Sequence, residues 1–426
     1  MPDCYNLNLQ REKAQLLTPK DPFQVPLLDN ATQTEPVTAT ATSGKSEKLP
    51  NEVVKSPTPV FLMINSLETG GSERQFIALT KSLDPSAFST HLGCIMEKGF
   101  LLEDLGPMPR FGLGGSLYSA KSFRSRFRLA RHLRHHRVAI AHAFDFYTNL
   151  VLIPVARLAG VPVVIGSQRQ IGDLLTPAQS RMQTTIFRWC DVVICNSQAA
   201  ADRLSEHGVP SGKLAIIRNG LAPSAFTTAT PSLPPVPGLL RVGMIARMNH
   251  RVKNHAGLLR AATRVVSKFA AVEFVLVGDG PFRAELETTA RTLRLGDHVR
   301  FLGDRRDIAG ILASLDLTVL PSSSESLSNS IIESMAAGVP VVANRVGGNI
   351  ELLGSDRGAL VATNDDVALA SAIESLLRDE NLRRRLGQNA KTFAQANLTI
   401  DRMRRDHEQL YASLLEKKGY RAKSPH

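Results

Sequence analysis

Cysteine is scarce. Cys4, Cys94, Cys190 and Cys195 are the whole complement of the 426 residues, irregularly spaced and mostly among apolar neighbours. That excludes a disulfide framework, and the lone Cys-x4-Cys at 190 and 195 has no second pair with which to hold zinc, so reduced, buried thiols are expected. No apolar run approaches the ~18 residues that span a bilayer, and the N-terminus lacks a signal-peptide core. A cytoplasmic location is the expectation. Aromatic residues are only 5% of the chain, with one tryptophan. None are interleaved with basic residues as a base-stacking platform, so nucleic acid is not an expected partner. No Asp-x-Asp occurs anywhere, which removes the usual carboxylate pair for a divalent cation, and no metal is expected. Between Leu105 and Phe144 there is no acidic residue at all.

What is present fits a two-domain globular chain. The length exceeds one ordinary core, and 43% hydrophobic with 21% charged residues is a globular balance. Residues 1–56 mix Thr, Pro, Lys, Glu and Asn without periodicity and read as a flexible extension. From Pro59 onward short apolar runs alternate with helical patterns, first to about residue 226 and again from 239 to 397. The TTATPSLPPVPG stretch at 227–238 reads as a linker. Such alternation predicts two α/β domains, each a doubly wound parallel sheet of Rossmann-like type, facing each other across a cleft. Residues 398–426 add a last helix and a tail.

The most informative stretch is LPSSSESLSNSIIESMAAGVPVV, residues 320–342. It predicts a buried strand, a loop of small polar residues, a helix opening near Ser328, and another strand after Pro340. Glu325 precedes that helix and Glu333 lies in its second turn. Because helical side chains lean toward the N-terminus, both carboxylates can face one cleft beyond the strand ends. The loop through Ser326 and Leu327 to Ser328 brings backbone amides and a helix start to the same place, which suits a phosphate. Carboxylates suit sugar hydroxyls. Together they fit a molecule with both groups, a sugar nucleotide. Two Glu eight positions apart also arise on solvated helices, and the strand-loop-helix-strand setting is what singles this pair out.

Two further segments face the same cleft. The loop IARMNHRVKNH carries Arg247, Arg251 and Lys253 between a strand end and a helix start. This is either a clamp for a diphosphate or a solvated basic loop. After the first strand, Gly70 and Gly71 permit a close backbone approach to phosphate or sugar, and they would serve equally as turn geometry. Residues 121–136 predict an amphipathic helix with Phe123, Phe127, Ala130 and Leu133 on one side and a basic face on the other. The apolar stripe either packs on the sheet with the Arg residues solvated, or the helix rests on an anionic membrane or guides an anionic acceptor.

Residues 325–342 resemble the Glu-x7-Glu signature of the retaining glycosyltransferases of family four, the glycosyl transferases group 1, which have the GT-B fold. The resemblance extends over the Gly278-Asp279-Gly280-Pro281 turn, Asn219-Gly220, and Val346-Gly347-Gly348 with Glu351, covering roughly 59–396. It implies transfer of a sugar, with retention of anomeric configuration, from a nucleotide-diphosphate sugar to a hydroxyl acceptor, for which a lipid-linked one is a candidate. It also implies polysaccharide or glycolipid assembly, no cofactor, and a C-terminal crossover helix. On the family's pattern Arg247 and Lys253 hold the diphosphate, Glu325 the donor sugar and Glu333 the ribose. His142 matches the first of two histidines after the fourth strand of the family pattern, but Phe144 stands where the second would be. Asp145 as substitute and His142 turned inward are the acceptor-side candidates, although a lone His at a strand end is more often structural. That departure keeps open a non-catalytic sugar-nucleotide binder of the same fold, and an epimerase of that fold is a further alternative.

Overall fold

The structure, a computed structural model, describes residues 56–420 apart from 69, 114–118 and 174. The expected N-terminal extension and the end of the C-terminal tail lie outside the described residues. The first half holds β1 (Thr58–Ile64), α1 (Gly71–Ser82), β2 (Phe88–Cys94), α2 (Ala120–His135), β3 (Ile140–Ala143), α3 (Phe146–Ala159), β4 (Val163–Gln168), α4 (Pro177–Phe187), β5 (Val192–Cys195), α5 (Gln198–Glu206) and β6 (Leu214–Ile216). The second holds β7 (Leu240–Ile245), α6 (His255–Val266), β8 (Val272–Val277), α7 (Arg283–Thr292), β9 (Val299–Gly303), α8 (Ile308–Leu312), β10 (Leu317–Leu320) and α9 (Asn329–Ala337). It continues with β11 (Val341–Asn344), α10 (Gly348–Leu353), β12 (Ala359–Val361), α11 (Asp366–Arg378), α12 (Glu380–Asn397) and α13 (Ile400–Lys417).

Each half builds a six-stranded sheet, in the orders β2-β1-β3-β4-β5-β6 and β12-β11-β10-β7-β8-β9. All pairings between these strands are parallel. Strand segments such as Val60–Ile64 and Phe274–Val277 are apolar on both faces because helices cover both sides. The fold is therefore the expected pair of Rossmann-like domains. Strand order reverses between β1 and β3 in one sheet and between β7 and β10 in the other. At each reversal the following loops diverge and leave a crevice at the carboxyl ends of the strands.

Helix α13 crosses back onto the first half. Met403, Tyr411, Leu414 and Leu415 join the core formed by Val60, Leu62 and Ile64 of β1 with Phe76 of α1. The Pro-rich stretch 227–238 is not a loose tether, since Ser232 N donates to Gly310 O at 2.9 Å and Leu233 is buried beside Ile311 and Leu312 of α8.

Helix α2 differs from its expected packing. It buries Ser122, Ser125, Leu129 and Leu133, whereas Phe123 and Phe127 are 59% and 71% exposed. Of the predicted stripe Leu133 is buried and Ala130 half-buried, while the two phenylalanines are not. The helix packs along α3, and its buried face takes in Ser122 and Ser125 and leaves both phenylalanines outside.

Candidate active site

The two crevices face each other, and every loop that leaves a switch-point strand contributes to the space between them. After β10, Ser328 caps α9 by accepting a hydrogen bond from Ile331 N. The helix then buries Ile331, Ile332, Met335 and Ala336 and ends at Gly338, whose φ of +78° is the left-handed conformation of a helix C-cap. This fixes Glu333 on the cleft side. Ser326 and Ser328 are buried, and the Leu327 side chain joins the core of the second half. What this loop offers a ligand is backbone at the start of α9.

After β7, Gly278 and Gly280 from the turn following β8 lie beneath the basic loop. A Cβ on Gly278 would stand 2.3 Å from Ala246 O, and one on Gly280 2.5 Å from Met248 O, so only glycine permits this contact. Arg247 is exposed. Lys253 Nζ donates to Glu325 Oε1 at 2.5 Å, with the two side chains 30% and 9% exposed. Ser323 N also donates to Val252 O at 2.8 Å, which ties the two loops together. Arg251 turns away, forming two hydrogen bonds to Glu285 with its guanidinium over the Phe282 ring.

From the facing half, Gly71 lies against Asn329, whose Nδ2 donates to Gly71 O at 3.1 Å. Gly70 carries the carboxylate of Glu73 folded over its Cα, 1.9 Å from where a Cβ would be. Burial raises the Glu73 carboxyl above its ordinary value, while its own backbone N–H and the charge of Arg247 pull it down. Arg74, the next residue, reaches across to Glu333, Nη1 to Oε1 at 3.0 Å. Burial raises Glu333 as well, opposed by Arg74.

Other bridges complete the seam. Ser326 Oγ donates to Asn196 Oδ1 at 2.5 Å and lies 3.1 Å from Ser197 Oγ. Ala199 N donates to Glu351 Oε1 at 3.0 Å, and Arg218 pairs with the other oxygen at 3.3 Å. Asn219 Nδ2 donates to Asn329 Oδ1 at 2.6 Å.

The two acceptor-side candidates are placed differently. His142 is 0% exposed, with Nδ1 at 2.7 Å from the Tyr411 hydroxyl and Nε2 at 2.8 Å from Ser167 Oγ. Burial holds it neutral, well below the ordinary histidine value. It is a core residue that anchors α13, the structural of its two expected roles, and not an acceptor-side one. Asp145 caps α3, accepting from Thr148 N at 3.1 Å, and its second oxygen accepts from Asn65 N at 2.6 Å. It pins the loop that leads to Gly70 and Gly71.

Sequence reasoning brought together Gly70, Gly71, Arg247, Lys253, Glu325 and Glu333 around one cleft. It missed Glu73 and Arg74, although they directly follow the Gly-Gly turn, and it missed Arg169 and Asn329. For Arg169 the only local signal was a charge directly after an apolar strand.

The profile of the family described as Glycosyl transferases group 1 matches residues 232–393, and that of Glycosyltransferase Family 4 matches 69–224. A lipopolysaccharide core biosynthesis glycosyltransferase of Rhizobium meliloti is 39% identical over 38% of this chain and 48% of its own. N-acetyl-alpha-D-glucosaminyl L-malate synthase of Bacillus anthracis is 32% identical over 39% of this chain and 43% of its own. The chain thus spans about half the length of these curated relatives. The putative glycosyltransferase EpsF of Bacillus subtilis is 28% identical over 66% of this chain and 78% of its own. Among solved structures, Anabaena HepE in complex with UDP and glucose superposes with a TM-score of 0.74 at 21% identity, covering 83% of this chain and 99% of that one. That likeness establishes the GT-B architecture.

Proposed function

The chain belongs to the glycosyl transferases of group 1 in glycosyltransferase family 4, and on that premise we propose that it transfers a sugar from a nucleotide-diphosphate donor to a hydroxyl acceptor. The observation that carries this reading is the convergence of Arg247, the Lys253–Glu325 pair and the start of α9 in one cleft. The hard step is departure of the nucleoside diphosphate. Two cations and helix amides placed where charge develops lower that barrier electrostatically. Lys253 has two further N–H donors for a phosphate oxygen while it holds Glu325. Glu325 in turn accepts from hydroxyls of the transferred sugar. Glu333 keeps one oxygen on Arg74 and offers the other to the ribose.

In the reaction the bond from the anomeric carbon to the diphosphate oxygen breaks and a bond to the acceptor oxygen forms on the same face, with retention. The acceptor proton leaves with the diphosphate or to water. Since phosphate charge is met by Arg247, Lys253 and amides, the reaction needs no metal in this scheme. Closure of the two halves excludes water and limits hydrolysis of the donor.

The acceptor proposed is lipid-linked, as in relatives named for lipopolysaccharide core biosynthesis and for a diphosphoundecaprenol acceptor. Assembly of a polysaccharide or glycolipid at the cytoplasmic face of a membrane follows. Helix α2 supports this: exposed Phe123 and Phe127 are flanked by exposed Lys121, Arg124, Arg128 and Arg131. Apolar groups among cations suit an anionic lipid surface. No helix among the described residues is long and apolar enough to cross a membrane.

Phe144 at 0% exposure favours a second reading, a donor-binding protein without transfer. Screening uridine, guanosine and adenosine diphosphate sugars by thermal shift identifies the donor. Incubating that donor with lipid-linked acceptors then separates the readings, since a binder gives a shift without glycosylated product.

A further inference from the structure

Arg169 follows β4 at the floor of the cleft, and no role assigned so far uses it. Its guanidinium lies over the Phe144 ring at 4.5 Å from the centroid, on the residue that replaces a histidine of the family pattern. Nη2 donates to Asn219 Oδ1 at 2.5 Å, and Asn219 continues through Asn329 to the carbonyl of Gly71. Nε is buried with no hydrogen-bond partner among the described residues. Burial lowers the Arg169 group to about 10, and Glu73, the charge that opposes this, forms no ion pair with it among the described residues. Buried His142 and His407 beneath it are held neutral. A guanidinium kept in a crevice by an aromatic face and one neutral amide retains most of its capacity for an anion, and leaving it unpaired is costly.

We propose that Arg169 is the specificity-determining residue of this cleft, reading a negatively charged substituent, carboxylate or phosphate, on a sugar at the reacting centre. This rests on the glycosyl-transfer reading of the same site. The Phe144 ring offers no hydrogen bond and instead supports a cation, so the chemistry offered at that point suits an anion rather than a hydroxyl. The charge is carried either by the transferred sugar or by the acceptor.

The test compares wild type, Arg169→Gln and Arg169→Lys on matched substrates. Donors are UDP-glucose against UDP-glucuronic acid, with GDP-mannose against GDP-mannuronic acid; acceptor glycans are paired with and without a carboxylate or phosphate. Wild type is expected to favour one charged member by about tenfold or more in kcat/KM, with Lys keeping part of that preference and Gln abolishing it through KM. The pair that responds identifies the source of the charge. Thermal shifts of wild type with the same compounds read the preference without turnover, and Asn219→Ala, which leaves the guanidinium but removes its tether, should weaken it. Equal treatment of charged and neutral members by wild type overturns the proposal, as does a loss in Arg169→Gln that falls equally on both. Lysine-253-dependent transfer with no charge preference would uphold the transfer reading and sink this one alone.

Discussion

Arg74 on α1 and Glu333 on α9 meet across the cleft at 3.0 Å, with side chains 46% and 16% exposed. They come from opposite halves of the chain, so their ion pair exists only while the halves are closed. The carboxylate assigned to ribose is thus already oriented before a donor arrives.

Arg74→Ala is expected to raise the donor KM by about three- to tenfold while leaving the melting temperature nearly unchanged, because a half-exposed pair contributes at most ~1 kcal/mol to stability. Steady-state kinetics beside a thermal melt check this. An unchanged KM would mean that Glu333 needs no partner to hold its orientation.

Lys253→Ala and Glu333→Ala should each reduce kcat/KM by about a hundredfold or more, the scale of losing a charged transition-state or substrate contact. Lys253→Ala also strands Glu325, which is 9% exposed, so its fold must be verified by circular dichroism. Full activity in both variants removes the site assignment.

Glu73 lies over Gly70, where the diphosphate would pass, and faces Arg247. Glu73→Gln should tighten binding of the free nucleoside diphosphate by about three- to tenfold, the effect of removing a nearby like charge. Acidification does the same in wild type: as pH falls through the raised Glu73 value the carboxyl becomes neutral and affinity rises, whereas the Gln variant lacks this contribution. Titration calorimetry at two pH values measures both effects, and weaker binding in the variant would refute the idea.

Replacing Phe123 and Phe127 together by Ser should lower binding to vesicles containing phosphatidylglycerol by about tenfold, given the apolar area removed. Turnover of a water-soluble acceptor should stay the same. Sedimentation that is indifferent to the change would remove α2 as the lipid contact.

His255 and His407 are 4% and 1% exposed, and burial lowers each to about 4. Folded-state values below the unfolded ~6.5 mean that the unfolded chain takes up protons first. The stability they permit is fully present above that pH and is lost as pH falls from there toward 4, by up to about 3 kcal/mol each. Urea midpoints across this range should fall on the acid side, and less so in His407→Gln.

Much of the cleft was legible in the chain. Apolar strand runs, small-residue loops and the Glu325 to Glu333 interval each reflect a local rule, so β10, α9 and β11 are where the sequence puts them. The place of Arg247 and Lys253 after a strand left a clamp and a solvated loop equally open, and only the family resemblance singled the two out. Part of the stripe on α2 was misjudged because Phe outranks Ser in hydrophobicity, yet the helix buries Ser122 and Ser125 with Leu133 and leaves Phe123 and Phe127 outside. His142 was left between an acceptor-side and a structural role because the partners that bury it, Ser167 and Tyr411, lie 25 and 269 residues away.

Amino-acid order alone determined the alternation of strands and helices, the two doubly wound halves, and which loops carry cations or carboxylates, since these depend on neighbours a few residues apart. Tertiary structure decided which charges meet. Arg74 with Glu333, Lys253 with Glu325 and Arg169 over Phe144 are joined by strand order and by the facing of two sheets, and a contact between distant segments leaves no periodic trace in either one.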